Sequence, residues 1–100
     1  MNINITSRKF KAKDSLKAFI SDSIRALQKL SDDIMEADVV LHFTHAHDSI
    51  KSVEIQLKLP GRVLNVHEDS EDFQKSVHMA IEKLERQLRK VKTKRLAKAR

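Results

Sequence analysis

The sequence predicts an α+β two-layer sandwich, and three observations carry that prediction. Two stretches hold apolar residues at helical spacing: Leu16, Ile20, Ile24, Leu27 and Leu30, then Phe73, Val77, Ala80 or Ile81, Leu84, Leu88 and Val91. Between them Val53, Ile55, Leu57 and Leu59 alternate strictly with Ser52, Glu54, Gln56 and Lys58, the pattern of a strand with one face covered. The element order reads β-α-β-β-β-α. A strand-helix-strand unit asks for parallel strands joined by a right-handed crossover, and short turns afterwards make an antiparallel meander. The expectation is a four-stranded mixed sheet with both helices on one face.

Each element has a local reason. Asn2-Ile-Asn-Ile-Thr6 alternates and puts its isoleucines on one side of a short strand. Lys9-Phe-Lys-Ala-Lys13 follows as a basic loop, and Asp14 is a good N-cap for a helix over about residues 15–30. Phe19 widens its apolar stripe, and Ser31-Asp-Asp33 ends the pattern. Val39, Leu41 and Phe43 alternate with Val40, His42 and Thr44 as a second strand, and His47-Asp48-Ser49 suits a turn. Residues 52–59 form the third strand. Adjacent Pro60 and Gly61, the chain's single Pro and single Gly, mark the next turn. Leu64 and Val66 suggest a short fourth strand. The acids of Glu68–Asp72 read as loop and cap residues, with Ser70 or Asp69 capping the second helix near its positive end.

Composition excludes several classes of function. One hundred residues make one domain, and without Cys there is neither a disulfide nor a thiolate metal site. No apolar run approaches the roughly 20 residues of a membrane span, and the N-terminus lacks the features of a signal peptide. A cytoplasmic location is the expectation. The formal net charge of +6 and a pI near 9.8 favour an anionic partner, nucleic acid before a membrane surface.

The surplus charge is concentrated. From Lys83 to Arg100 nine Lys or Arg stand against one acid, Glu85. On the second helix Lys75, Lys83, Arg86, Arg89 and Lys90 lie off the apolar stripe. Lys83, Arg86 and Lys90 follow i, i+3, i+7 and share a face. Arg25 and Lys29 stand one turn apart on the first helix, and packed helices would join them to that surface, with Lys9, Lys11 and Lys13 at its edge. The alternative is a solvated face held by i,i+4 pairs, Glu82–Arg86 and Glu85–Arg89, which leaves most of the cations unneutralised. A chain poor in exposed aromatics has little means to stack single-stranded bases, so structured RNA read by shape fits better.

The run Asp72-Phe-Gln-Lys-Ser-Val-His-Met-Ala-Ile-Glu-Lys-Leu-Glu-Arg-Gln-Leu-Arg-Lys-Val-Lys92 resembles the second-helix signature of ribosome hibernation promoting factors, the family also called sigma-54 modulation proteins. The opening strand, the Leu16–Leu30 helix and the element order are similar to the same family. The resemblance implies a fold like that of double-stranded RNA-binding domains. It also implies binding to the small ribosomal subunit and its rRNA, in the channel between head and body where mRNA and the A- and P-site tRNAs lie. Carried over by position, the residues that bind RNA are Lys83, Arg86, Arg89, Lys90 and Lys92, with Lys75, Arg25 and Lys29 added from the charge pattern. Gln74 stands where the family often has Tyr, and His78 where it often has an acid. Ser23 and Ala26 fall where first-helix lysines are common, so the first-helix half of the site departs most. With no C-terminal dimerisation domain in the sequence, the expectation is a short form: residues 1–92 as the ribosome-binding domain and 93–100 as a basic tail, frayed from about Thr93. Some short forms act with a second, ribosome-dimerising factor.

Other constellations carry less. His42, His45 and His47 with Asp48 are metal-ligand types, but without Cys or a helical His pair they read as a polar strand end and turn, and no metal or cofactor is expected. His67 and His78 are isolated in sequence. No nucleophile motif, Gly-rich phosphate loop or carboxylate pair is visible, so neither an enzyme nor a small-molecule substrate is expected. The sequence therefore reads as a stress or stationary-phase translation inhibitor acting by occlusion. The alternatives are a generic binder of double-stranded RNA and an interaction module for an acidic protein.

Overall fold

The computed structural model describes residues 1–44 and 50–98, with side chains to residue 91. The elements are β1 (Asn2–Ser7), α1 (Asp14–Leu27), β2 (Glu36–Phe43), β3 (Lys51–Leu59), β4 (Arg62–Ser70) and α2 (Phe73–Lys98). They form one four-stranded sheet in the order β1-β2-β3-β4. β1 runs parallel to β2 in the register Asn2↔Glu36, and the β2–β3 and β3–β4 pairs are antiparallel. This is the mixed sheet and β-α-β-β-β-α order expected. Gly61 takes φ +71 in the β3–β4 turn, a left-handed conformation that a side chain disfavours.

The alternation of the strands decides what is covered. Ala37, Val39 and Leu41 of β2, Val53, Ile55, Leu57 and Leu59 of β3, and Leu64 and Val66 of β4 are buried beneath the helices. α1 contributes Ile20, Ile24 and Leu27, and α2 contributes Phe73, Val77, Ala80, Ile81, Leu84, Leu88 and Val91. Burial at this density stabilises by about 1.5–3 kcal/mol per large side chain. Among the described residues no helix covers the other sheet face, whose strand positions are polar or charged except for Val40 and Val63. Three of the four phenylalanines gather at one end: Phe10 lies 5.0 Å from Phe43 and 5.2 Å from Phe73, centroid to centroid. Phe10 and the buried Ala12 pin the basic loop, so Lys9, Lys11 and Lys13 stay exposed at fixed places.

Four local expectations are corrected. Asp14 is the first residue of α1 rather than its cap; Lys13 holds the cap position and no side chain bonds there. Asp14 still suits the helix dipole. α1 ends at Leu27, and Gln28, Lys29 and Leu30 tighten into bonds to carbonyls three residues back. At α2 neither Ser70 nor Asp69 is the cap. Asp72 Oδ2 accepts the Lys75 N–H at 3.3 Å, while Ser70 Oγ accepts the Asp72 N–H at 3.2 Å. β4 is nine residues long, not short, and takes in Glu68, Asp69 and Ser70. Their hydrophilicity hides the strand, because each finds its partner across the fold: Glu68 with Lys83, Asp69 with Ser52 and His67, Ser70 with Ser76.

α2 is helical through Lys98. The segment after Lys92 is rich in Lys, Arg, Leu and Ala and holds no Gly or Pro, so nothing in it stops a helix. The His47-Asp48-Ser49 turn lies outside the described residues.

Candidate nucleic-acid interface

The site is the outer surface of the helical layer. α1 and α2 pack side by side, and each turns its apolar stripe to the sheet, so the opposite faces meet solvent together. Arg25 and Lys29 are exposed on α1; Lys75, Lys83, Arg86, Arg89 and Lys90 are exposed on α2. Lys92 lies on the helix, and its side chain is outside the described residues.

The cations differ in what they touch, a distinction that spacing does not reveal. Lys83 pairs with Glu68, whose side chain is only 11% exposed. That contact places the flank of α2 that carries Lys83, and one turn pair later Lys90, on the side of β4. Lys75 bonds Glu71 at 3.2 Å, and Arg89 approaches Glu85 at 3.9 Å. The Glu71 carboxyl is held below its ordinary value by its own backbone amide and then by Lys75. Arg86 lacks the partner expected for it, because Glu82 pairs with His78 at 2.6 Å instead. Among the described residues no ion pair neutralises Arg25, Lys29, Arg86 or Lys90. Charges left uncompensated and hydrated are those that exchange counterions for phosphate at least cost.

Sequence reasoning missed one part of this surface. Phe10, Phe43 and Phe73 floor a groove between the N-terminal ends of the two helices, edged by Lys11, Lys13 and Lys51. Lys51 Nζ stands 5.8 Å over the Phe43 ring. The Lys9–Lys13 loop was legible as basic; its joining to three aromatic rings from distant segments was not. The candidate metal set of the β2–β3 turn cannot be placed, since His45 and His47 lie outside the described residues.

Known proteins share the fold and much of the sequence pattern. The ribosome hibernation promotion factor of Bacillus subtilis is 31% identical over 94 residues, covering 94% of this chain and 50% of that protein. The factor of the same name from Lactococcus lactis is 29% identical, over 94% of this chain and 51% of its own. The chain thus spans about half the length of these curated relatives. Among solved structures, a ribosomal subunit interface protein from Coxiella burnetii superposes with a TM-score of 0.85 at 28% identity, over 93% of this chain and 99% of that one. The N-terminal domain of Thermus thermophilus Protein Y gives 0.80 at 26% identity, over 91% and 99%. Residues 3–96 match the pattern of the family described as sigma 54 modulation protein / S30EA ribosomal protein, and the chain belongs to that family.

Proposed function

We propose that this domain is a ribosome hibernation factor that inhibits translation by occupying the small subunit's decoding channel, where mRNA and the A- and P-site tRNAs bind. The observation that carries the reading is the set of exposed cations, Arg25, Lys29, Arg86 and Lys90, that form no ion pair among the described residues and lie on the outer side of the helical layer. Family membership supplies the ribosome as the place where such a surface is used. Lys83, Arg89, Lys75 and Lys92 add to the field; the first three already have acidic neighbours.

The mechanism is occlusion, and no residue needs to do chemistry. The helices offer an exposed surface whose cations replace counterions along rRNA phosphates. A folded domain of this size seated in the channel excludes the ligands that need the same volume. A second, ribosome-dimerising factor belongs to this reading as a partner.

Co-sedimentation with purified small subunits across a salt series, with a generic RNA duplex as competitor, tests it. Saturable binding near one per subunit that resists the duplex is the expected result. Binding abolished by the duplex would leave only a general binder of double-stranded RNA. Binding to an acidic protein that survives nuclease treatment would make the domain a protein-interaction module.

A further inference from the structure

The open face of the sheet holds a second cluster that the helical surface does not use. His42 of β2, Glu54 of β3 and His67 of β4 each offer one ligand atom, and all three atoms lie within 4.8 Å of one another. Strand pairing puts them there. Glu54 lies directly opposite His67, and His42 is diagonal to Glu54 across the β2–β3 ladder. The His42 and His67 rings stack nearly parallel, at 4° and 6.4 Å between centroids. Asp69 completes the group: its Oδ1 lies 3.0 Å from His67 Nε2 and accepts a hydrogen bond from the buried Ser52 hydroxyl.

Two features set this cluster apart from other polar side chains on the strands. His42 Nε2 is buried and has no hydrogen-bond partner; its nearest acid oxygen, Glu54 Oε1, stands 3.6 Å away. A buried polar atom left unpaired is costly, and such atoms are rare in native folds. The second feature is charge. Glu36 and Asp38 on the same face share Lys58, at 3.2 and 3.4 Å. Glu54 and Asp69 pair with no Lys or Arg among the described residues; their neighbours are imidazoles.

We infer that His42, Glu54 and His67, with Asp69 beside them, form a binding site for a first-row divalent metal ion, zinc above all. Two imidazoles and a carboxylate suit Zn²⁺, whereas Mg²⁺ and Ca²⁺ prefer oxygen ligands throughout. Tetrahedral ligands at about 2.0–2.1 Å from zinc stand about 3.4 Å apart, so the outermost atoms must draw in by at most about 1.5 Å. Glu54 and His67 can make that movement, their side chains being 47% and 50% exposed. His42, 20% exposed, is the fixed ligand. A bound ion gives His42 Nε2 its missing partner, balances the two carboxylates and ties three adjacent strands together. The site is on the opposite side of the sheet from the helices, so it leaves the cationic surface clear.

Isothermal titration of the untagged chain with zinc chloride tests the inference, alongside melting curves with and without the ion. The expected result is one ion per chain and a raised Tm. Glu54→Gln and His67→Ala, both at exposed positions, should each weaken binding by more than about tenfold and remove the Tm shift. His78→Ala and the pair His45→Ala with His47→Ala should bind as the parent does. Absence of saturable binding overturns the site. So does unchanged affinity in Glu54→Gln and His67→Ala, or loss of binding on replacing His45 and His47.

Discussion

Replacing Arg86 and Lys90 together with Ala should change how RNA binding responds to salt, and Lys83→Ala should not. The structure separates these residues although their spacing along α2 makes them equivalent. Arg86 and Lys90 form no ion pair among the described residues, whereas Lys83 is held by the largely buried Glu68. If Arg25, Lys29, Arg86 and Lys90 each neutralise one phosphate, the log–log slope of affinity against salt is about −3, at about 0.7–0.9 per contact. Between about 50 and 200 mM salt the parent then loses about 50- to 150-fold in affinity, and the double variant only about 7- to 12-fold. Lys83→Ala removes an internal pair that binds no counterion, so its slope stays near −3 by the same relation. Its effect falls on stability: Glu68 is left partnerless under α2, at a cost of about 1 kcal/mol. The assay is sedimentation with small subunits at four or five salt concentrations. An unchanged slope in the double variant refutes the assignment of the cationic row. Flattening by Lys83→Ala equal to that of the double variant refutes the use of intramolecular pairing to rank the cations.

Three further outcomes follow from single contacts. Asp72→Ala removes the acceptor for the Lys75 N–H and should cost about 1 kcal/mol, read as a lower urea midpoint with unchanged slope; no change would assign the capping to Ser70. Ser76→Ala should cost about 1–3 kcal/mol by the same measurement, because the buried Ser76 hydroxyl donates to the Lys51 carbonyl at 2.8 Å and meets Ser70 Oγ at 2.6 Å. The Asp38 carboxyl is held below its ordinary value, first by the Asn4 amide at 2.9 Å and then by Lys58, against the opposing effect of burial. A carboxyl depressed on folding stabilises above its unfolded value, near 4, and that stability is lost as pH falls through the lower folded value. Melting curves below about pH 4 should therefore show an acid limb that Asn4→Ala makes shallower, by less than about 1 kcal/mol since Asp38 is 31% exposed; an identical limb would remove Asp38 as its source.

How much of this was legible depends on whether a residue's role is set by its neighbours in sequence or in space. The helices and β3 were legible because one-sided burial writes a period into the chain, and Pro60-Gly61 announced its own turn. β4 was only half legible. Glu68, Asp69 and Ser70 look like a loop until Lys83, Ser52 and Ser76 are brought to them from 6 to 17 residues away. The cationic residues were visible as a charge run. Their division into paired and unpaired was not, since Glu68–Lys83 crosses from sheet to helix and His78 takes the Glu82 that spacing offers to Arg86. The aromatic floor under Lys11 and Lys13 was hidden for the same reason, its rings coming from the loop, β2 and α2. His67 looked isolated because its companions, His42 and Glu54, are on other strands.

The two-layer architecture has an electrostatic consequence for docking. Covering one sheet face with both helices leaves the other bare, and within the strands that bare face carries four carboxylates, Glu36, Asp38, Glu54 and Asp69, against one ammonium, Lys58. The exposed side of the helical layer is strongly cationic. The domain is therefore charged oppositely on its two broad sides, and in the field of a polyanion it is turned helices-first before any contact forms. On the proposed reading orientation and affinity then have separate origins: the cations of α1 and α2 would hold the phosphates, while the acids of the sheet would exclude the reversed pose. Neutralising Glu36 and Asp38 with Gln and Asn should leave the specific site intact, raise binding to competitor duplex and lower the fraction seated one per subunit. If competitor binding does not rise, the sheet acids have no part in orientation, and the helical surface alone sets how the domain docks.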